Sequence, residues 1–371
     1  MMPSGQSPIP LRSADARLLE ILYRLWEELA RDLADWIIRA ESLEAKAWGA
    51  QCLEAAARRT GDYERLMRAC ALDPWRAPAL PPNYSQLLVE MSEAPSAELY
   101  FASIALFWDP ALMEAAREWG EGAGFAGAAD ASVLLAPAMD PSAAQRFIEA
   151  HLPGPEGRVK AHGWASHLAD CLSAAGGFYP APSGAGDALI SDYRLNERID
   201  FFLDPRFTRS EGREGDSAQL LEAVLRAPAD SAACAAWLRA WAACLVARAE
   251  MAALAVFENW RTHLSADEPW ENDAARNEFR QRMIQAARAG LSGFAAARQA
   301  MEAADQLDPA PPGERPQTPI PMAEYRKFRS LSARQRLSDL EMGPQDELSA
   351  QIAVLRRQED LLPAPLRAII V

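Results

Sequence analysis

The stretch SAACAAWLRAWAACLVARAEMAALAVFENWRTH (Ser231–His263) decides the fold class of this chain. It contains no proline or glycine, alanine forms its background, and its large apolar side chains recur at steps of three and four residues. Alanine is the strongest helix former, and that spacing is typical of a helix, so the stretch predicts one long α-helix. Because the helix is apolar on almost every side, we expect it to lie inside a helical bundle.

A few charged side chains interrupt this apolar surface, among them Arg239, Arg248 and Glu250. A membrane span needs about 20 apolar residues without such charges, so the stretch predicts a core helix and no membrane partner. The three charges form either structural ion pairs or an internal polar site. Arginine in a helix is more often ion-paired or extended towards water, which favours the structural interpretation.

Two further long helices follow from apolar spacing. The first begins at Ser13 and either continues to Arg59 or turns near Ala40, and Gly61 is expected to end it. The second begins at a capping-box pair near Pro269 and runs to Leu307, antiparallel to the central helix. Two glycines lie within it, Gly290 and Gly293, and they predict a kink or a close helix contact.

Asp-Pro dipeptides punctuate the chain between helices. Aspartate accepts hydrogen bonds from the first helical turn, and proline fits the first helical position, so the pair commonly starts a helix. This predicts helices beginning near Pro110 and Pro141, the first of them preceded by a separate helix from Ser96 to Phe107. Between residues 154 and 187, repeated Gly and Pro predict irregular structure around one short helix, residues 164–175.

The sequence therefore predicts an all-α fold: a multi-helix bundle with long antiparallel helices, a Pro-rich linker and a helical C-terminal tail. The bundle is assigned to residues 1–307, the linker to 308–321 and the tail to 322–371. The linker contains few large apolar residues, so we expect truncation after Leu307 to leave the bundle folded.

The charge and cysteine content limit the class of protein. A formal net charge of −14 and a pI near 4.9 oppose binding to nucleic acid, which depends on Lys and Arg. The five cysteines form no CxxC pair and no dense framework, which predicts reduced thiols and a cytoplasmic location. Abundant alanine and arginine are typical of a bacterial protein from a GC-rich genome.

Chemical motifs are scarce in the sequence. We find no nucleophile elbow, no phosphate-binding loop and no pair of E-x-x-H helices. The residues nearest to a metal site are His162, His167 and Cys171, because His167 and Cys171 are four apart and share one helical face. Nothing in the sequence supplies a matching second pair of ligands, so neither a metal nor a cofactor is predicted.

The tail carries a basic segment, YRKFRSLSARQRL, on a chain whose total charge is strongly negative. It predicts docking on an acidic partner or on the acidic body of the same chain, against the alternative of a solvated helix face. The predicted partner-binding residues are Arg326, Lys327, Arg329, Arg334 and Arg336.

The functional prediction is a non-enzymatic bacterial interaction protein that binds a protein partner, such as an assembly, adaptor or chaperone-like subunit. It depends on long helices without catalytic motifs. The alternative is an all-α enzyme, or a bundle that binds a small molecule, with its site near residues 154–187.

Overall fold

A computed structural model describes residues 13–40, 42–122, 132–178, 214–262, 273–309, 335, 337–338, 340 and 345–370. Over these residues the secondary structure is helical, with no β-strand. The predicted all-α, multi-helix class is confirmed for this part of the chain.

The chain divides into two compact units. Unit 1 comprises residues 1–36 and 51–199, and unit 2 comprises residues 37–50 and 200–371. The division predicted at residues 307 and 321 stays a prediction, since residues 310–334 lie outside the described part.

In the described part of the chain, seven α-helices lie between residues 13 and 174. They are α1 (Ser13–Arg39), α2 (Leu43–Ala69), α3 (Pro82–Ser92), α4 (Ala97–Ser103), α5 (Asp109–Gly122), α6 (Pro141–His151) and α7 (Gly154–Ala174), with short 3-10 turns at Pro74–Arg76 and Ser132–Leu135. The chain turns at Ala40, one of the two predicted alternatives. Gly61 does not end a helix, because burial of Tyr63 and Leu66 outweighs the roughly 1 kcal/mol that glycine costs inside a helix.

The two Asp-Pro helix starts have different outcomes. Asp140 caps α6 as predicted, its carboxylate accepting a hydrogen bond from the Ser142 N–H at 3.0 Å. At Pro110 the helix does not begin anew, because α4 continues into α5 through a π-helical turn, Ile104–Trp108. Pro110 has no N–H and its ring crowds the carbonyl of Leu106, so a wider turn accommodates it within one helical run.

The predicted irregularity of residues 154–187 is wrong for its first part. Residues 154–174 form the continuous helix α7, and residues 179–187 lie outside the described part. Prolines lie in its first turn, where backbone N–H groups have no intrahelical acceptor, so proline costs no hydrogen bond there. Gly157 is required there, because a Cβ at this position would lie 2.3 Å from the Leu152 carbonyl oxygen.

Unit 2 is built around the predicted central helix, here α9. Its helices are α8 (Glu214–Arg226), α9 (Ser231–Thr262), α10 (Asp273–Leu291), α11 (Gly293–Leu307), α12 (Gln345–Arg356) and α13 (Ala364–Ile370), with a 3-10 turn at Glu359–Leu361. Helix α9 packs against α8, α10 and α11.

The second long helix is interrupted at Ser292, between the two glycines, and this break separates α10 from α11. Of the two predicted alternatives, the close helix contact is confirmed. A Cβ on Gly290 would lie 2.4 Å from the Ala252 Cβ, and one on Gly293 would lie 3.0 Å from the Leu245 carbonyl oxygen. The glycines therefore let α10 and α11 approach α9 closely.

The C-terminal helices belong to the core of unit 2. Leu355, Leu366 and Ile370 are fully buried, and α13 packs against α11. The Trp237 indole N–H of α9 donates to the Gln351 amide oxygen at 3.2 Å. These contacts oppose the expectation that the chain can be cut after Leu307 without loss of stability.

Among the described helices, one segment is long and apolar enough to cross a bilayer. It is Ser231–Val256 in α9, with a mean hydropathy of 1.2 over its most apolar window, of which 56% is buried in the fold. Length and composition alone do not distinguish such a span from a core helix.

Candidate functional site

Helices α3 and α7 of unit 1 are joined by two hydrogen bonds at one end of their contact. The Asn83 side-chain amide donates to the Ala175 carbonyl at 2.6 Å, and the Tyr84 hydroxyl donates to the Gly177 carbonyl at 2.8 Å. Gly176 and Gly177 adopt positive φ values of 95° and 74°, which glycine accommodates without strain and which end α7 here. The two helices are therefore held in a fixed register.

This register brings three potential ligands together. The Glu90 Oε1 of α3 lies 2.8 Å from the His167 Nε2 of α7, and the Cys171 Sγ lies 3.7 Å from the same nitrogen. The indole of Trp164 lies against the His167 ring, with centroids 5.2 Å apart and planes inclined by 31°. Two of the predicted candidates, His167 and Cys171, therefore meet on one helix face as expected.

Glu90 is the site residue that sequence reasoning missed. It lies 77 residues before His167 and belongs to no motif, so only the packing of α3 on α7 identifies it. His162, the third predicted candidate, does not join the cluster. Five residues separate it from His167, which is about 140° around a helix of 3.6 residues per turn.

The cluster is poorly arranged for a cysteine nucleophile. Burial raises the pKa of the Cys171 thiol, and the negative charges of Glu90 and Asp170 raise it further. A catalytic dyad needs the thiolate, and its histidine is oriented through the second ring nitrogen. Here Glu90 and Cys171 approach the same nitrogen, Nε2, so the carboxylate does not support the histidine as a base.

An open groove runs along the opposite face of α7. Its walls are the π-helical turn with the start of α5 on one side and α7 on the other, and its volume is about 860 Å³. The lining residues are mostly small or apolar, and they include Leu106, Ala111, His162, Ala165, Ala169 and Leu172. The π-helical turn contributes Leu106 and Phe107, so the distortion at Pro110 shapes this wall.

Two of the three charges of the central helix, Arg239 and Glu250, form ion pairs, as the favoured interpretation predicted. The Lys46 ammonium donates to the Glu250 carboxylate at 2.7 Å and to the Ile37 and Ile38 carbonyls. Arg239 pairs with Asp305 at 3.2 Å and also donates to the Asp308 carbonyl.

The predicted partner-binding residues of the tail lie outside the described part of the chain. They are Arg326, Lys327, Arg329, Arg334 and Arg336.

Comparisons with models of protein families, with curated proteins and with solved structures find no match to this chain.

Proposed function

We propose that this chain is a non-enzymatic helical interaction protein, and that the groove of unit 1 binds an amphipathic helix of a protein partner. The observation that carries the proposal is the open groove of about 860 Å³ between α7 and the run from the π-helical turn into α5. Long helices that leave such a groove are typical of proteins that accept a partner helix.

The openness of the groove favours a protein over a small molecule. A small-molecule site usually buries roughly 70–90% or more of the ligand surface, and a few polar groups at fixed positions orient the ligand. A small ligand in this groove would keep much of its surface in water. A partner helix would instead cover the groove along its length and bury the apolar walls of both proteins.

The small side chains of α7 favour a helix as the occupant. Ala165, Ala169 and Ser173 recur at steps of four along the groove. Small residues at such a step let a second helix approach to about 8 Å between axes, and Leu106 and Leu172 offer apolar contacts beside them. We expect the partner to insert large apolar side chains spaced three and four residues apart.

The chemistry of the groove favours binding over catalysis. His162 is the titratable side chain among the lining residues that the structure describes, and it is exposed. A general acid or base normally works with a second polar group within hydrogen-bond distance. The described residues that line the groove with His162 are instead mostly small or apolar. The enzyme alternative is therefore less well supported than a binding role.

Two parts of the proposal concern residues and conditions beyond the groove. The basic residues of the tail, Arg326 to Arg336, are proposed to contact acidic groups of the same partner. A cytoplasmic location is also proposed, and the five cysteines support it because all of them are free thiols.

Site-specific photo-crosslinking in the native cell tests the groove. A benzophenone amino acid replaces Ala169, which is exposed on the groove face of α7, or Ala174, which is exposed on the same helix about 140° away. We expect residue 169 to form an adduct with one protein, through a helical segment identified by mass spectrometry, and residue 174 to form none.

The Ala169→Arg variant provides the second arm, with Ala174→Arg as its matched control. The arginine at 169 fills the groove without entering the core, so we expect it to abolish the adduct recorded from a crosslinker at Ser166. The 174 variant should keep that adduct. Equal crosslinking from positions 169 and 174, or none from either, would contradict the proposal.

A further inference from the structure

We infer that Glu90, His167 and Cys171 form a binding site for a single zinc ion. One carboxylate oxygen, one imidazole nitrogen and one thiolate sulfur are offered, and all three atoms lie within 4.8 Å of one another. The site is separate from the groove, which lies on the other face of α7.

The set of donors selects the class of metal. Sulfur and imidazole nitrogen favour Zn²⁺ and related borderline cations over Mg²⁺ and Ca²⁺, which prefer oxygen ligands. Three protein ligands leave one coordination position for water. This number is typical of zinc sites that remain open to solvent rather than of closed structural sites.

Two of the three distances between the ligand atoms are close to those around a zinc ion. Tetrahedral Zn²⁺, with bonds of about 2.3 Å to sulfur and about 2.0–2.1 Å to nitrogen or oxygen, separates its ligand atoms by roughly 3.3–3.6 Å. The Cys171 Sγ and His167 Nε2 are 3.7 Å apart, which already fits. The Glu90 Oε1 and His167 Nε2 lie at hydrogen-bond distance, 2.8 Å, and would separate by about half an ångström to bind the metal.

The scaffold around the cluster favours a built site over a chance encounter. Its ligands lie on two helices, α3 and α7, whose register is fixed by the hydrogen bonds of Asn83 and Tyr84. Sites on helices hold their ligands more accurately than sites on loops. The His167 and Glu90 side chains are 46% and 35% exposed, so an ion can enter from solvent.

The local charge also favours a cation. Glu90 and Asp170 bring two carboxylates close to Cys171, and a divalent ion would offset their negative charge.

Cobalt substitution tests the site directly. Titration of the full chain with Co²⁺ should give one equivalent of tightly bound metal, with a thiolate-to-cobalt charge-transfer band in the near ultraviolet and intense visible bands typical of tetrahedral coordination. Zn²⁺ should then displace the cobalt and remove both signals. The conservative variants Cys171→Ser and Glu90→Gln keep the size of each side chain, so they test the ligands without emptying the site.

The outcomes differ clearly between ligands and control. We expect Cys171→Ser to lose the charge-transfer band, and His167→Ala and Glu90→Gln to weaken Zn²⁺ binding at least tenfold. His162→Ala removes a histidine from the other face of α7 and should bind zinc like the parent chain. Zinc should raise the melting temperature of the parent chain and of His162→Ala, but not of His167→Ala. Failure to bind cobalt, or a charge-transfer band that survives Cys171→Ser, would overturn the inference.

Discussion

At the scale of single residues, the buried ammonium of Lys46 illustrates how unit 2 tolerates charge in its core. It has three acceptors, the Ile37 carbonyl at 3.0 Å, the Ile38 carbonyl at 2.9 Å and the Glu250 carboxylate at 2.7 Å. The two carbonyls lie in the last turn of α1 and would otherwise have no intrahelical donor. Lys46 therefore satisfies the end of one helix and the charge of another.

We expect Glu250→Ala to lower the free energy of unfolding by roughly 3–5 kcal/mol, because the ammonium is left buried without its counter-charge. The double variant Lys46→Met with Glu250→Leu removes both charges and should be clearly more stable than the single variant. Urea unfolding followed by circular dichroism measures both. A single variant as stable as the parent chain would show that the pair is dispensable.

Asp109 predicts a pH dependence of stability. Its carboxylate accepts hydrogen bonds from the Ala138 and Met139 N–H groups, yet burial raises its pKa above the usual value, because desolvation outweighs these bonds and the charge of Arg59. A raised pKa means that the folded chain binds the proton more tightly than the unfolded chain. The stability from this group is therefore present at low pH and lost as pH rises through the folded pKa.

An Asp109→Asn variant does not titrate at this position. We expect its stability relative to the parent chain to increase as the pH is raised from about 4 towards neutrality. Glu114 is the matched control, since its hydrogen bond with Arg117 lowers the pKa of that carboxyl. The comparison for Glu114→Gln should therefore move in the opposite direction with pH. A difference for Asp109→Asn that does not change with pH would refute the assignment.

At the scale of helices, glycines have opposite roles in α2 and α10. A Cβ at Gly290 would lie 2.4 Å from the Ala252 Cβ, whereas a Cβ at Gly61 would meet nothing within 4 Å. We expect Gly290→Ala to destabilise the chain by about 1–3 kcal/mol through overpacking. Gly61→Ala should stabilise it by about 0.5–1 kcal/mol through helix propensity. Thermal unfolding compares the two, and equal effects would mean that α9 and α10 are not in close contact.

Helices were predictable where one local signal determines them. The alanine-rich apolar periodicity gave α9, and Asp140-Pro141 gave the start of α6, because the cap and the proline act within one turn. The π-helical turn before Pro110 was not predictable from the sequence. The Asp109-Pro110 dipeptide lies within a continuous helical run, so the local signal for a helix start does not determine the structure there. The start of α7 is not predictable in this way, because glycine and proline usually interrupt helices, although proline suits a first turn.

The candidate site shows the same limit. The pairing of His167 with Cys171 follows from their spacing on one helix, so the sequence was sufficient for it. Glu90 is added by the packing of α3 on α7, and the groove arises from the shapes of two helices that lie more than 40 residues apart in sequence. Neither leaves a pattern in the sequence, because contacts between distant segments depend on the tertiary fold.

At the scale of the whole molecule, the C-terminal helices contribute to stability. Truncation after Leu307 removes the buried Leu355, Leu366 and Ile370 and the Gln351 partner of Trp237. We therefore expect the truncated chain to lose cooperative unfolding of unit 2. A milder change, Leu355→Ala, should lower the free energy of unfolding by roughly 2–5 kcal/mol, because Leu355 is buried. Leu361 is 63% exposed, so Leu361→Ala should have little effect. A truncated chain with an unchanged melting temperature would restore the interpretation of a separate tail.

The central claim is that the groove of unit 1 binds a partner helix, and isothermal titration calorimetry of the crosslinked partner segment against the full chain tests it most directly. We expect a negative heat-capacity change, because apolar surface is buried, and affinity at least tenfold weaker for Ala169→Arg than for Ala174→Arg. Equal affinities of the two variants for the segment would contradict the claim.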